Sequence, residues 1–250
     1  MLVSNCMKLA ALLAFTIVAS AADLPTGASL IQRFVEASGG SAAYAKAKNV
    51  TMEGAVEIEG RNIAGTVSTA QAGEKSYTSM EFTAIGKVEE GFDGDIGWQN
   101  SELQGPRLLE GEEKAAAKRA SSLALITAWR DQYTSAKTLG SEDIAGKPAW
   151  NVEMTPKEGK PEHFFFDRDS GLLKAVGMTL STPLGEITTQ VQMADYRAVD
   201  GIQTPFRMTQ QAFGQSIVMT FSKVSYNAQI PPGRFDLPAP VKALAAKRKQ

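Results

Sequence analysis

The stretch "HFFFDRDSGLL", residues 163–173, holds the chain's only histidine, three consecutive phenylalanines and two aspartates. It reads as a reactive corner, a metal loop, or two strands joined by a turn. Aspartate opens β-turns by accepting from its own downstream backbone, and glycine supplies the positive φ that such turns need. Asp167 to Gly171 therefore read as a hairpin loop between "HFFF" and "LLKAV". A calcium loop of the EF-hand type needs a glutamate at its twelfth position. Counted from Asp167, the twelfth residue is Met178. His163 as a general base would need a nucleophile and an orienting acid. No G-x-S-x-G elbow and no H-E-x-x-H pattern occurs, and one histidine cannot build a His-rich zinc site. Successive phenylalanines put aromatic area on both faces of one strand. Either both faces are covered, or one looks into a cavity.

The segments flanking this hairpin are also strand-like. "VTMEGAVEIEG" alternates Val50, Met52, Val56 and Ile58 with Thr51, Glu53, Glu57 and Glu59, the period-two pattern of a half-buried strand. Further long alternating runs follow up to "SIVMTFSKVSYN", punctuated by glycine. "FDGDIGW" (92–98) offers Asp93 and Asp95 as a carboxylate pair for metal or glycoside chemistry. Asp-Gly is also a strong hairpin signal, and the turn is the reading adopted here, as it is for "VDGI" (199–202). Asp195 and Arg197 lie two apart on one strand, so they share a face and can pair. A hydrolase built on Asp93, Asp95, His163 or Asp167 would lack a motif to present its nucleophile.

Helices are expected at two places. Leu30, Ile31, Phe34 and Val35 form one apolar stripe over residues 27–38, stopped by Gly39-Gly40. "SAAYAKAK" offers a short second helix with Ser41 as its N-cap. Residues 108–133 are rich in Ala, Glu, Lys and Leu and read as helical, with a break near Ser121-Ser122. Leu123, Ile126, Trp129 and Tyr133 would share one face of the second part.

The ends bound the class. Lys8, an apolar run from Leu9 to Val18 and Ala19-Ser20-Ala21 match a cleaved secretory signal over residues 1–21, with Met7 as an alternative start. The run is shorter than the roughly 20 residues needed to span a bilayer. Cys6 lies inside this segment, so the remaining chain has no cysteine for disulfides, thiolate chemistry or Cys-based metal sites. Charges nearly cancel, 26 basic against 27 acidic, and no basic stripe argues for nucleic acid. No second apolar run is long enough to cross a membrane. One domain is expected over residues 22–238, followed by a basic, disordered tail at 239–250.

The order of these signals, with "FDG-x-x-GW" at Phe92–Trp98, "WR-x-x-Y" at Trp129–Tyr133, "FFFD-x-x-[ST]GLL" at Phe164–Leu173 and "DYR-x-VDGI-x-x-PF" at Asp195–Phe206, resembles the LolA/LolB-type superfamily of periplasmic outer-membrane lipoprotein-sorting proteins. The resemblance covers nearly all of residues 24–238. It implies a mainly β (α+β) fold: an open, strongly curved antiparallel sheet, an incomplete β-barrel, with helices plugging its concave face. The segment around Leu123–Tyr133 would be such a plug. It further implies a monomeric, non-enzymatic periplasmic protein whose cavity holds acyl chains of lipid or lipoprotein. On that fold, alternation nominates Met52, Val56, Phe82, Trp98, Trp129, Phe165, Met193, Phe206 and Phe221 as the cavity lining. Met80, Met178, Met208 and Met219 also fall in strands, as ordinary core or as adaptable cavity wall. The alternative is a non-catalytic envelope interaction module with a solid core that recognises a protein partner. No cofactor, metal, catalytic residue or nucleic-acid partner is expected.

Overall fold

A computed structural model describes residues 24–182, 185–212 and 214–248. The expected signal segment lies outside the described residues. Six strands form a first antiparallel meander: β1 (Asn49–Ile58), β2 (Ile63–Ala72), β3 (Lys75–Phe82), β4 (Gly86–Phe92), β5 (Gly97–Ser101) and β6 (Gly105–Leu108). Seven more form a second: β7 (Tyr133–Ile144), β8 (Lys147–Pro156), β9 (Glu162–Asp167), β10 (Leu173–Thr182), β11 (Gly185–Val199), β12 (Ile202–Ala212) and β13 (Gln215–Tyr226). The first strand pairs with the last, β1 with β13, which fuses both meanders into one 13-stranded sheet with β6 and β7 at its edges. The sheet is mainly antiparallel β structure, strongly curved and not closed into a barrel.

Glycines on the inner face allow the bend. A Cβ on Gly54 would lie 2.1 Å from the Thr220 carbonyl oxygen, and one on Gly65 would lie 2.0 Å from that of Glu81. Both clashes are with backbone of the neighbouring strand, so only glycine permits this approach. The β1–β13 register shifts beside Gly54, a bulge that adds local twist.

The predicted turns form as expected. Asp167 Oδ1 accepts from the Asp169 and Ser170 amides at 3.1 and 2.8 Å, and Gly171 has φ of 76°. Asp93 Oδ1 accepts from the Asp95 and Ile96 amides at 2.9 and 2.7 Å, which accounts for the "FDGDIGW" acid as turn chemistry. Asp200 and Gly201 have φ of 50° and 82°, the two positive values of a type I′ hairpin. Asp195 and Arg197 are ion-paired at 2.7 Å. His163 sits at the second position of β9, its Nδ1 3.0 Å from Asn151 Oδ1.

Helix α1 (Gly27–Ala37) starts at Thr26, whose hydroxyl accepts from the Ser29 amide, and buries Leu30, Ile31, Phe34 and Val35. Those residues pack with Val152, Met154, Phe164, Phe166 and Leu173, so α1 covers the inner face of the second meander. Helix α2 (Ser41–Lys46) forms, but Gly40 rather than Ser41 holds the cap position and no side chain caps it.

Two expectations are corrected. Helix α3 (Gly111–Ser121) ends where the break was expected, but residues 122–132 do not continue as a helix. The Leu123 amide bonds the Gly73 carbonyl at the β2–β3 turn. Trp129–Asp131 form a single 3-10 turn, and Tyr133 already belongs to β7. Leu123 packs into one apolar cluster while Ile126 and Trp129 pack into another. Bridging two clusters through a series of tight turns outweighs a helical spacing of modest propensity. The expected disordered tail is helix α4 (Ala239–Lys247), which packs against β5 and β6 with Val241 fully buried, and Arg248 pairs with Glu110.

Candidate functional site

Residues paired across an antiparallel ladder share a face. One such row runs Met193–Met208–Met219–Val56–Gly65–Phe82 through six adjacent strands. Its neighbour runs Phe221–Gly54–Val67–Met80–Val88. These rows make the concave face apolar. Met52, Val56, Phe82, Phe206 and Phe221 join Val50, Val67 and Met80 in one buried cluster there. Trp129 is buried in the cluster under α1, and Met193 packs against that cluster.

Phe165 is placed on the other face, which corrects its nomination as cavity lining, whereas Trp98 borders the pocket beside α3 although its strand register is out of phase with the inner rows. Trp98 lies in the row Tyr77–Gly91–Trp98–Leu108, one residue out of phase with the inner row Thr78–Glu90–Gln99–Arg107. Its ring stands 6.2 Å from that of Tyr77. Phe165 pairs with Asn151 and Ala175 and packs with Ile144 and Ala149, whereas Phe164 and Phe166 face α1. Alternation shows that two faces exist; it does not say which is inner, and a one-residue slip exchanges them.

The inner face is not filled. An outer cleft of about 630 Å³ opens between β3–β6 and β12–β13, lined by Met80, Ile85, Val88, Leu103, Ala212 and Ile217. A second pocket of about 270 Å³ runs beside α3, lined by Trp98, Ala116, Ala117, Ala120, Met178 and Leu180 among others. The two hollows share Glu90, Gln99 and Gln210. A further hollow of about 700 Å³ lies between α2, the β2–β3 turn and residues 122–132. Its walls are mainly small or polar residues, with Tyr44 and Leu123 as the larger apolar side chains.

Helix α3, rather than Leu123–Tyr133, is the main plug. It crosses the concavity and touches β3, β4 and β5 on one side and β10 on the other. A buried ion pair holds it. Arg119 Nε donates to Glu162 Oε1 at 3.0 Å with a second contact from its terminal nitrogen, and Arg119 also donates to the Glu158 carbonyl at 2.7 Å. Tyr133 donates to Glu162 Oε2 at 2.5 Å. Burial, and then the Glu162 carboxylate, push the Tyr133 phenol far above its ordinary value. Two residues further on, Ser121 Oγ meets Ser76 Oγ at 2.6 Å.

A second polar set lies in the cleft. Arg107 donates to both oxygens of Glu113 and to Gln99 Oε1 at 2.6 Å, and Gln99 Nε2 donates to Glu90 Oε2 at 3.3 Å. Burial pushes the Glu90 carboxyl above the ordinary carboxylate range. Neither set was nominated from the sequence. The partners lie 6 to 43 residues apart along the chain, so no local motif marks them. Among the described residues, no three His, Cys, Asp or Glu side chains gather as a metal site.

An open, curved sheet with a helix across an apolar concave face defines the LolA-type class of folds. No family model matches this sequence, and no curated protein matches it. Solved structures do. A LolA superfamily protein from Nitrosomonas europaea superposes with a TM-score of 0.56 at 13% identity, covering 86% of this chain and 99% of that one. A DUF1329 family protein from Desulfovibrio piger gives 0.56 at 14% identity over 87% of this chain and all of that one. A putative outer membrane lipoprotein-sorting protein domain from Vibrio parahaemolyticus gives 0.53 at 12% identity, covering 84% and 96%. The chain therefore has the fold of LolA-superfamily proteins. No helix among the described residues is long and apolar enough to cross a membrane.

Proposed function

We propose that this protein binds or carries acyl chains of lipid or lipoprotein in the bacterial cell envelope, in the periplasm, with residues 1–21 as its export signal and the remainder as one domain. It acts without catalysis. The observation that carries this reading is the open cleft of about 630 Å³ on the concave face, walled by Met80, Ile85, Val88 and Ile217. A cleft of this size falls in the roughly 300–1,000 Å³ range of small-molecule sites. Methionines along the inner rows, Met193, Met208 and Met219, give a wall that adapts to chains of different shape. The fold shared with lipoprotein-sorting proteins supports the same reading.

Native mass spectrometry of gently purified protein should show co-purified lipid, and a fluorescent fatty acid should bind in proportion to protein. Ile217→Asp should weaken that binding, since it puts a charge in the apolar wall. A clean apo mass together with no fatty-acid binding would reject the carrier reading and leave a protein-interaction scaffold.

A further inference from the structure

The structure assigns a headgroup site to the junction of the two hollows. We propose that Glu90, with Gln210 and Thr78, selects amphiphiles that carry a primary ammonium group, while the apolar cleft takes the alkyl chain. This rests on the acyl-binding reading and adds the chemical class of the ligand.

The charges in the cleft do not balance. Arg107 is its one guanidinium and is committed: one nitrogen donates to both Glu113 oxygens at 2.9 and 2.7 Å, another to Gln99. Glu90 is left with one long hydrogen bond, 3.3 Å from the Gln99 amide to Oε2. Among the described residues no hydrogen bond reaches Glu90 Oε1. That oxygen is not sealed off, since Glu90 is only half-buried and borders both hollows. A carboxylate in an apolar setting without a cation of its own is costly, and a ligand cation removes that cost.

The shape of the site selects among cations. A divalent metal would find Glu90 and Glu113 separated by the Arg107 guanidinium. An ammonium has three donors and no acceptor. Thr78 lies directly across the β3–β4 ladder from Glu90, and Gln210 lines the same two hollows from β12. Together they supply three acceptor groups to match. An anionic head would meet two carboxylates and a guanidinium already in use. A neutral hydroxyl would bring one donor and no positive charge to offset the Glu90 carboxylate, where an ammonium brings three donors and the charge. Met80, Val88 and Ile217 lie beyond the junction toward the mouth, so a tail leaving the site enters apolar space.

The test uses dodecylammonium, dodecanol and dodecanoate below their critical micelle concentrations, measured by displacement of a fluorescent acyl probe at pH 7.5. Wild type should bind dodecylammonium about 10-fold or more tighter than dodecanol, and dodecanoate weakest. Glu90→Gln should abolish the preference, and Gln210→Lys, which supplies an internal cation, should abolish it too. Equal binding of all three probes would overturn the headgroup site and leave the acyl reading standing. A preference that survives both variants would overturn the role of Glu90. Failure of every probe would overturn both readings together.

Discussion

Replacing Arg119 by Met should be among the most damaging single changes in this protein. Arg119 and Glu162 are both nearly fully buried, with side-chain exposures of 6% and 5%. The change removes both guanidinium contacts to Glu162 and the bond to the Glu158 carbonyl, and leaves the carboxylate with the Tyr133 hydroxyl donating to Oε2. Breaking a buried pair from one side costs about 3–5 kcal/mol, because a charge stays behind uncompensated. In a domain of this size each kcal/mol moves Tm by about 2–4 °C, so Tm should fall by about 6–20 °C. Arg119→Met with Glu162→Leu should recover most of the loss, since an apolar pair of similar volume often matches a buried ion pair. Differential scanning calorimetry and urea melts at pH 7 measure all three proteins. A loss under about 1 kcal/mol for the single variant, the range of a solvent-exposed pair, would refute the picture of a dry latch between α3 and β9. A double variant as damaged as the single one would refute its attribution to the stranded carboxylate.

Gly54→Ala should destabilise the protein by about 1–3 kcal/mol by forcing β1 and β13 apart, as overpacking does; a neutral result in urea melts would show that the bend does not depend on this close approach. The buried phenols of Tyr44, Tyr133, Tyr196 and Tyr226 are all pushed above their ordinary value, chiefly by burial. The unfolded chain would release these protons from about pH 10 while the folded one keeps them, so the stability they contribute is full below about pH 10 and is lost as pH rises above it. Tm should be level from pH 7 to about 9 and then fall, less steeply in Tyr133→Phe, and a Tm unchanged to about pH 12 would refute the shifts.

Much of the fold was legible in the chain because its signals are local. The alternation of Met52, Val56 and Ile58 reports a half-buried strand without knowledge of its partner. Asp167-Arg168-Asp169-Ser170-Gly171 encodes its own turn through an aspartate oxygen and a glycine φ. Helix α1 declares itself by Leu30, Ile31, Phe34 and Val35. The misreadings share one cause, dependence on distant chain. Leu123 to Tyr133 keep helical spacing, but the Gly73 carbonyl and two separate apolar clusters draw them into a chain of turns. Residues 239–247 look like a polar end until β5 and β6 offer a surface that buries Val241.

The candidate site divides in the same way. The apolar character of the concave face, and five of its buried members, follow from strand periodicity, which any single strand carries in itself. The phase of that periodicity is a different matter. Phe165 looks like its neighbours in sequence and lies on the opposite face, because register is fixed between strands. The Glu90–Gln99–Arg107–Glu113 set and the Arg119–Glu162–Tyr133 latch exist only where separate hairpins and α3 converge. Sequence alone thus determined a long, turn-punctuated antiparallel sheet with one greasy side. Tertiary structure decided which residues face the hollow, where the plug is fastened, and which carboxylate keeps only one long hydrogen bond, since pairing and burial are properties of positions in space.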